Sequence, residues 1–411
     1  MPQQELFAIA ISLTAFFAFL NYRYFKLPVT IGAMAVASCF SLILLVSDYL
    51  GFPISNLPRV FISSIDFDDT LLHAMLGPLL FAGAMFVNLD DLLKQKWTIL
   101  TFASIGVLVS MMIVATLFFY ASQLVGIELQ WIWCLLFGAL ISPTDPIAVL
   151  GILKKLGVPK SLEIKFTGES LFNDGIGVVL FIVLLSILQG NEATPAYISE
   201  LFIVEVGGGI LLGLILGATV YALMKRIDNY QVEILLSLAL ISGGYALATH
   251  FHLSGPIFAV IAGLLIGNSG RRHAMSDKTR EHLDTFWELI DEILNTVLFV
   301  LIGLELLVIA LKPENLLLGI MAIVIVLFAR FVGIGSLIQL LRFKREFSHR
   351  AIRILTWGGL RGGISIALAL SLPLGPERSV IVTVTYVVVA FSILVQGLTI
   401  GKLITAASKD N

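Results

Sequence analysis

Long apolar segments recur along this chain, and their length and spacing restrict its fold more than any other feature. A helix that crosses the hydrocarbon core of a bilayer needs about 20 mostly apolar residues. The segments that come near this requirement lie near residues 6–22, 29–47, 70–88, 97–121, 130–152, 166–189, 200–224, 233–250, 254–269, 286–311, 315–341, 351–372 and 379–402. The sequence therefore predicts an all-α polytopic membrane protein with about 13 transmembrane helices.

The composition supports a chain embedded in lipid. Of its 411 residues, 58% are hydrophobic and 13% are charged, whereas about 25% of the residues of a soluble domain are charged. This excludes a soluble enzyme, and we expect residues 1–411 to form a single membrane domain. The formal net charge of −2 argues against nucleic-acid binding, which needs a basic surface.

The basic residues predict how the chain is oriented. Of the 26 Lys and Arg residues, 21 fall in alternate loops, beginning with Arg23 and Lys26, and the opposite loops hold three. Cytoplasmic loops carry this excess of positive charge. We therefore expect a plasma (inner) membrane protein with its N-terminus outside and its C-terminus in the cytoplasm. Since no basic residue precedes the first span, we expect that span to be retained rather than cleaved.

The fifth span contains an aspartate between two prolines. Pro143 and Pro146 flank Thr144 and Asp145, and each proline removes a helical hydrogen bond and disturbs the preceding turn. We expect a broken helix, which membranes tolerate only where the break faces a cavity or other protein. A proline kink with a hydrogen-bonded aspartate is the simpler alternative.

The sixth span carries four polar residues on one flank. At about 100° per residue, Glu169, Ser170, Asn173 and Asp174 spread over about 140° of the helix. Two carboxylates in a lipid-embedded helix must pair with cations or be protonated. The cluster therefore favours an ion site, and a structural polar seam between helices is the alternative.

Two arginines fall inside later spans, where an unpaired charge is costly. Arg330 has no acidic neighbour in sequence, and we expect it to pair with Glu169. Arg361 lies among Gly358, Gly359, Gly362 and Gly363, which weaken the helix and predict a second break. Its guanidinium can then offset exposed carbonyl groups, as Asp145 can offset exposed N–H groups.

The order of spans and breaks predicts an inverted repeat. Spans 1–6, about residues 6–189, correspond to spans 8–13, about 233–402, with span 7 (about 200–224) as a connector. The second six spans then cross the membrane in the opposite sense. In secondary transporters with this layout, broken helices meet near the midplane at the substrate site.

These motifs resemble the monovalent cation:proton antiporter family, in particular its NhaP-like sodium/proton exchanger branch. The resemblance rests on the segment Pro143–Pro146, the segment Glu169–Gly175 and the segment Gly358–Gly362, in this order, and it covers essentially the whole chain. The adjacent Asn173 and Asp174 resemble the electroneutral branch.

The resemblance implies a role for each residue. Asp174 is implied to bind both the cation and the proton, with Thr144, Asp145 and Ser170 helping to coordinate Na⁺. The supporting residues it implies are Asn173, the ion pair Glu169 and Arg330, and Arg361. It further implies a homodimer, with spans 4–6 and 11–13 as the moving core.

The resulting hypothesis is a secondary antiporter, not an enzyme, that exchanges a monovalent cation for H⁺ at one buried carboxylate. It needs no cofactor, and no nucleotide-binding loop of the Walker type is present. A K⁺/H⁺ exchanger, a cation channel or an ion-coupled solute symporter are the alternatives on the same fold. An intramembrane aspartyl protease is disfavoured, because neither Asp145 nor Asp174 lies in a Tyr-Asp or Gly-x-Gly-Asp motif, the motifs typical of such proteases.

Overall fold

The computed structural model describes residues 3–52, 54–65, 70–145, 160–190, 194–309, 311–341 and 351–408. Within these ranges the regular structure is helical, apart from one isolated β-bridge. In the first half of the chain the helices are α1 (Gln3–Leu20), α2 (Val29–Tyr49), α3 (Asn56–Ser63), α4 (Thr70–Met85), α5 (Leu89–Lys94), α6 (Lys96–Leu124), α7 (Trp131–Ile141) and α8 (Lys160–Leu188). In the second half they are α9 (Ser199–Met224), α10 (Tyr230–His250), α11 (Gly255–Gly270), α12 (Asp277–Glu305), α13 (Pro313–Leu341), α14 (Ala351–Trp357), α15 (Gly363–Leu370) and α16 (Pro376–Thr405).

The helices match the predicted spans in type and in order. Among the described residues, eight helices are long and apolar enough to cross a bilayer. They are α1, α2, α6, α8, α9, α10, α13 and α16. The shorter apolar helices α4, α7 and α11 fall on the third, fifth and ninth predicted spans. The prediction of an all-α polytopic membrane protein is confirmed.

Both predicted breaks are present where the structure describes them. α7 ends at Ile141, two residues before Pro143, and the rest of the fifth span, from Pro146 onward, lies outside the described residues. The twelfth span is divided into α14 and α15. The proline and the glycines therefore interrupt these helices where the sequence predicts.

The tenth span begins earlier than predicted. Instead of starting near residue 286, α12 runs from Asp277 to Glu305 over 29 residues. Ser276 caps its first turn, since its hydroxyl oxygen accepts a hydrogen bond from the Thr279 N–H at 3.3 Å. A capped start lets the helix form through a charged stretch that a search for apolar segments passes over.

Two apolar clusters hold the helices together, and α12 belongs to both. Its Phe299 lies in a cluster that also contains Ile141 and Leu360, at the two breaks. Its Trp287 lies in the second cluster, to which α4, α10 and α11 contribute most of the residues. The two breaks are thus enclosed in protein, where an interrupted helix is tolerated within a membrane.

Candidate ion-binding site

The two helix breaks meet directly. The main-chain N–H of Asp145 donates to the carbonyl of Leu360 at 2.9 Å, and these residues form the isolated antiparallel bridge. Each interruption thereby satisfies a backbone group that the other has freed from its helix. The broken fifth and twelfth spans therefore cross at a fixed register.

Charged side chains lie at the open helix ends of this crossing. Arg361 Nη1 donates to the carbonyls of Ser142 (2.5 Å) and Pro143 (2.7 Å), just beyond the end of α7. The Asp145 carboxylate lies against Gly362, the residue before α15, so closely that a side chain at position 362 would overlap with it. A cation thus faces a helix C-terminus and an anion faces an N-terminus, the arrangement that helix dipoles favour.

A chain of side-chain hydrogen bonds links the fifth span to α8. Asn173 Nδ2 donates to Thr144 Oγ1 at 2.9 Å, and Asn173 Oδ1 accepts from the Thr144 N–H at 3.4 Å. Thr144 Oγ1 lies 3.1 Å from Ser170 Oγ. All three residues are buried, so the Thr144 and Ser170 oxygens are held in place.

Asp174 completes this polar group one helical turn after Ser170. Its side chain is 6% exposed, and it interacts electrostatically with Asp145 and Arg361. Within the described part of the chain it forms no salt bridge. Gly177 lets α8 approach the broken fifth span closely, because any side chain at position 177 would overlap with the Pro143 ring.

Glu169 and Arg330 form the predicted ion pair. Arg330 Nη1 contacts Glu169 Oε1, and both side chains are almost fully buried. Arg330 faces the interior of the protein, whereas Val324, Phe328 and Phe331 on other faces of α13 are exposed. The pair removes the net charge of two groups that would be costly inside a membrane protein if either were alone.

A small cavity lies behind the ion pair. It is lined by the two buried arginines Arg330 and Arg361, together with Thr356, Gly359 and Gln396. Arg330 Nε and Nη2 and Arg361 Nε have no hydrogen-bond partner among the described residues. The donors of both arginines are thus only partly engaged.

The structure brings together all eight residues selected from the sequence. They are Thr144, Asp145, Glu169, Ser170, Asn173, Asp174, Arg330 and Arg361. They include carboxylate, hydroxyl and amide oxygens, and oxygen atoms of these kinds are the ligands that hard cations prefer. No group of three or more His, Cys, Asp or Glu residues is placed to hold a metal ion in the described ranges.

Three polar residues near the site escaped the sequence analysis. Asp291 of α12 interacts electrostatically with Asp145, and its position within the tenth predicted span was a signal that could have revealed it. Ser392 and Gln396 of α16 are buried beside Arg361. These two lie four residues apart in a mostly apolar helix, which places them on one face.

Comparison with known proteins identifies relatives along nearly the whole chain. The family model described as sodium/hydrogen exchanger, transmembrane, matches residues 11–406. The Na(+)/H(+) antiporter NhaP of Pseudomonas aeruginosa is 50% identical over 406 residues, which cover 97% of this chain and 96% of that protein. The Na(+)/H(+) antiporter NhaH of Halobacillus dabanensis is 36% identical, over 85% of this chain and 86% of its own.

A solved structure shares the fold. The sodium proton antiporter MjNhaP1 from Methanocaldococcus jannaschii superposes with a TM-score of 0.69 at 20% sequence identity. The match covers 92% of this chain and 98% of that structure. At this identity the likeness establishes the fold alone.

Proposed function

The chain belongs to the sodium/hydrogen exchanger family, and from this premise we propose that it exchanges Na⁺ for H⁺ at one shared carboxylate, Asp174. The observation that carries the proposal is the position of Asp174. It is buried and interacts electrostatically with Asp145 and Arg361 at the crossing of two broken helices, and it lies one helical turn after Ser170, whose hydroxyl is 3.1 Å from Thr144 Oγ1. The antiporters named among its relatives support Na⁺ as the cation.

The charges around Asp174 explain why one ion must replace the other. Glu169 and Arg330 neutralise each other, and Asp145 and Arg361 bring opposite charges to the crossing. A buried carboxylate without a partner is costly, so Asp174 is stabilised by binding either Na⁺ or a proton. Because both ions occupy the same group, binding of one releases the other.

The proposed transport step follows from the same charge. With Asp174 neutralised by either ion, the helices that carry the site can move past their neighbours at low cost. With Asp174 empty and charged, the same movement would carry a bare carboxylate through an apolar region. Exchange is thereby coupled without ATP.

The exchange is proposed to be electroneutral. Asn173 carries no charge, and its amide is occupied by the Thr144 main chain and hydroxyl. Asp174 is then the one group that alternates between Na⁺ and H⁺. One Na⁺ moves for one H⁺, and no net charge crosses.

The orientation is proposed to be N-terminus outside and C-terminus cytoplasmic. The excess of positive charge in alternate loops supports it, and two contacts join loops that the charge pattern assigns to the same, cytoplasmic, side. Arg272 Nη2 contacts Asp90 Oδ2, and the Ser276 hydroxyl donates to Asp228 at 2.7 Å. Assembly into a homodimer and the division into inverted repeats are further parts of the proposal.

Transport by purified protein in lipid vesicles tests the proposal. Adding Na⁺ to vesicles that hold a pH gradient should collapse the gradient in wild type and not in Asp174→Asn. Glu128→Gln, which neutralises an exposed acidic residue away from the site, is the matched control and should retain exchange. Exchange in Asp174→Asn at the wild-type rate would refute the shared carboxylate.

The same vesicles separate exchange from the alternatives. A channel would pass Na⁺ without moving protons in return, and a symporter would move its solute and ion in the same direction. Replacing Na⁺ with Li⁺ or K⁺ in turn then defines the cation.

A further inference from the structure

The break in the twelfth span frees several main-chain groups from helical hydrogen bonding, and two of them are paired by side chains. α14 ends at Trp357 and α15 begins at Gly363, so the Trp357 carbonyl and the Arg361 N–H need other partners. A main-chain group that is withdrawn from water and left without a partner destabilises the folded protein. One element, α16, supplies partners to both groups.

Two side chains of α16 form a hydrogen-bonded bridge across the break. Ser392 Oγ accepts from the Arg361 N–H at 2.9 Å and donates to Gln396 Oε1 at 2.8 Å. Gln396 Nε2 in turn donates to the Trp357 carbonyl at 2.9 Å. The bridge therefore runs from the last residue of α14 to the residue that carries the buried guanidinium.

This bridge has a single arrangement of donors and acceptors. Because the Trp357 carbonyl can only accept, the Gln396 amide must turn its NH₂ group towards it. The amide oxygen then faces Ser392, whose hydroxyl hydrogen must point to it. That leaves the Ser392 lone pairs for the Arg361 N–H, so the register of the extended segment is fixed.

Both side chains of the bridge are buried. They lie at the two ends of Ser392–Gln396, one of six π-helical segments in the described part of the chain. Ser392 is 1% exposed and Gln396 3% exposed. Both side chains are thus committed to the break and not to solvent or lipid.

The bridge connects to the ion site through Arg361 and its neighbour. The Arg361 guanidinium holds the carbonyls of Ser142 and Pro143, and the Leu360 carbonyl holds the Asp145 N–H. Between them these contacts enclose Thr144. A shift of residues 358–361 would therefore displace Thr144 and Asp145, two of the candidate cation ligands.

We propose that Ser392 and Gln396 are positioning residues of the antiporter, which hold the extended segment 358–362 so that Thr144 and Asp145 keep their places around the cation. Neither side chain is required to touch the ion. The inference rests on the proposed function, because the effect is read as a change in Na⁺ affinity.

The experiment compares Ser392→Ala and Gln396→Met with wild type in vesicles. The KM for Na⁺ and the maximal rate per amount of folded protein are measured for each. Loss of one buried hydrogen bond is expected to raise KM by about fivefold or more, with a smaller change in maximal rate. A purely structural role would reduce folded protein and leave KM unchanged.

The matched control is Thr385→Val, also on α16. Thr385 is fully buried, and its hydroxyl has no hydrogen-bond partner among the described residues. This variant should keep the wild-type KM. An equal rise in KM for Thr385→Val would overturn the proposal, as would wild-type KM values in Ser392→Ala and Gln396→Met.

Two further outcomes are distinguishable. If Ser392→Ala yields no folded protein, Gln396→Met decides, since it keeps the Ser392 acceptor for Arg361. Absence of Na⁺-driven proton movement in wild type would instead refute the proposed function, and with it the inference.

Discussion

Asp145 donates its main-chain N–H to the carbonyl of Leu360, and this bond joins the two interrupted spans at their breaks. Neither break has to leave these groups unpaired, because each supplies a partner to the other. The two breaks are therefore structurally coupled. A displacement of the glycine-rich segment around Arg361 would also move Thr144 and Asp145, the candidate cation ligands in the fifth span.

Gly362→Ala should destabilise the crossing of the two broken helices through steric overlap. Gly362 has a φ of −119°, so its backbone suits any residue, but an added Cβ would overlap with the Asp145 carboxylate. Such overpacking costs about 1–3 kcal/mol, and we expect a lower melting temperature and loss of transport. Gly243→Ala is the control, because a Cβ there meets nothing within 4 Å. Normal transport by Gly362→Ala would contradict the geometry of the crossing.

Reversing the charges of Glu169 and Arg330 together should restore part of what each reversal removes. A single reversal leaves like charges in contact in a buried site, and breaking a buried pair costs about 3–5 kcal/mol. Thermal melting in detergent measures both single variants and the double variant. The exposed pair Arg272 and Asp90 serves as a comparison, where reversal should change stability little. If the double variant melts no higher than the single variants, Glu169 and Arg330 are not energetically coupled.

Thr144→Val should weaken Na⁺ binding while preserving the shape of the side chain. The hydroxyl it removes accepts from Asn173 and lies next to the Ser170 oxygen. We expect the KM for Na⁺ to rise about fivefold or more, the effect of one buried hydrogen bond. Thr144→Ser, which keeps the hydroxyl, should stay close to wild type. Similar KM values in the valine and serine variants would remove Thr144 from the ligand set.

Protons should compete with Na⁺ for the site. If both bind Asp174, lowering the pH occupies the carboxylate with protons, so the KM for Na⁺ rises. Where protonation dominates, mass action sets the rise at about tenfold for each pH unit. Initial rates across a series of Na⁺ concentrations and pH values provide the test. A KM that stays constant while only the maximal rate falls would indicate separate sites.

Membrane potential should leave the exchange rate unchanged. One Na⁺ for one H⁺ moves no net charge, whereas unequal exchange is driven by a potential worth about 2.3 kcal/mol per charge at 100 mV. Initial rates in vesicles with and without an imposed potential make the comparison. A rate that follows the sign of the potential would refute electroneutral exchange.

Much of the site could be predicted from the sequence, because a membrane-embedded chain has few ways to accommodate a helix break or a charged side chain. Pro143 and the glycines around Arg361 indicated the breaks, since few other residues interrupt a membrane helix. Buried charges had to be paired, and Glu169 and Arg330 are in contact. Helical periodicity alone placed Glu169, Ser170, Asn173 and Asp174 on one flank of α8.

Other features depended on neighbours that no sequence pattern specifies. Asp291 lies on α12, whose first residues are charged and were not predicted to belong to the helix. The packing of α12 brings Asp291 close enough to interact electrostatically with Asp145. Ser392 and Gln396 are two polar residues of a mostly apolar span, and nothing near them in sequence shows what they bind. Their meaning comes from the Arg361 N–H and the Trp357 carbonyl that they reach.

The sequence by itself determined that this chain is a helical membrane protein, where its helices break, and which charges must be buried. These follow from local rules, since an apolar length, a proline or an intramembrane charge has the same consequence wherever it occurs. Only the tertiary structure decided which groups satisfy one another across the breaks. Pairing of Asp145 with Leu360, of Arg361 with the Ser142 and Pro143 carbonyls, and of Ser392 with Arg361 depends on distance and direction, which the order of residues does not encode locally.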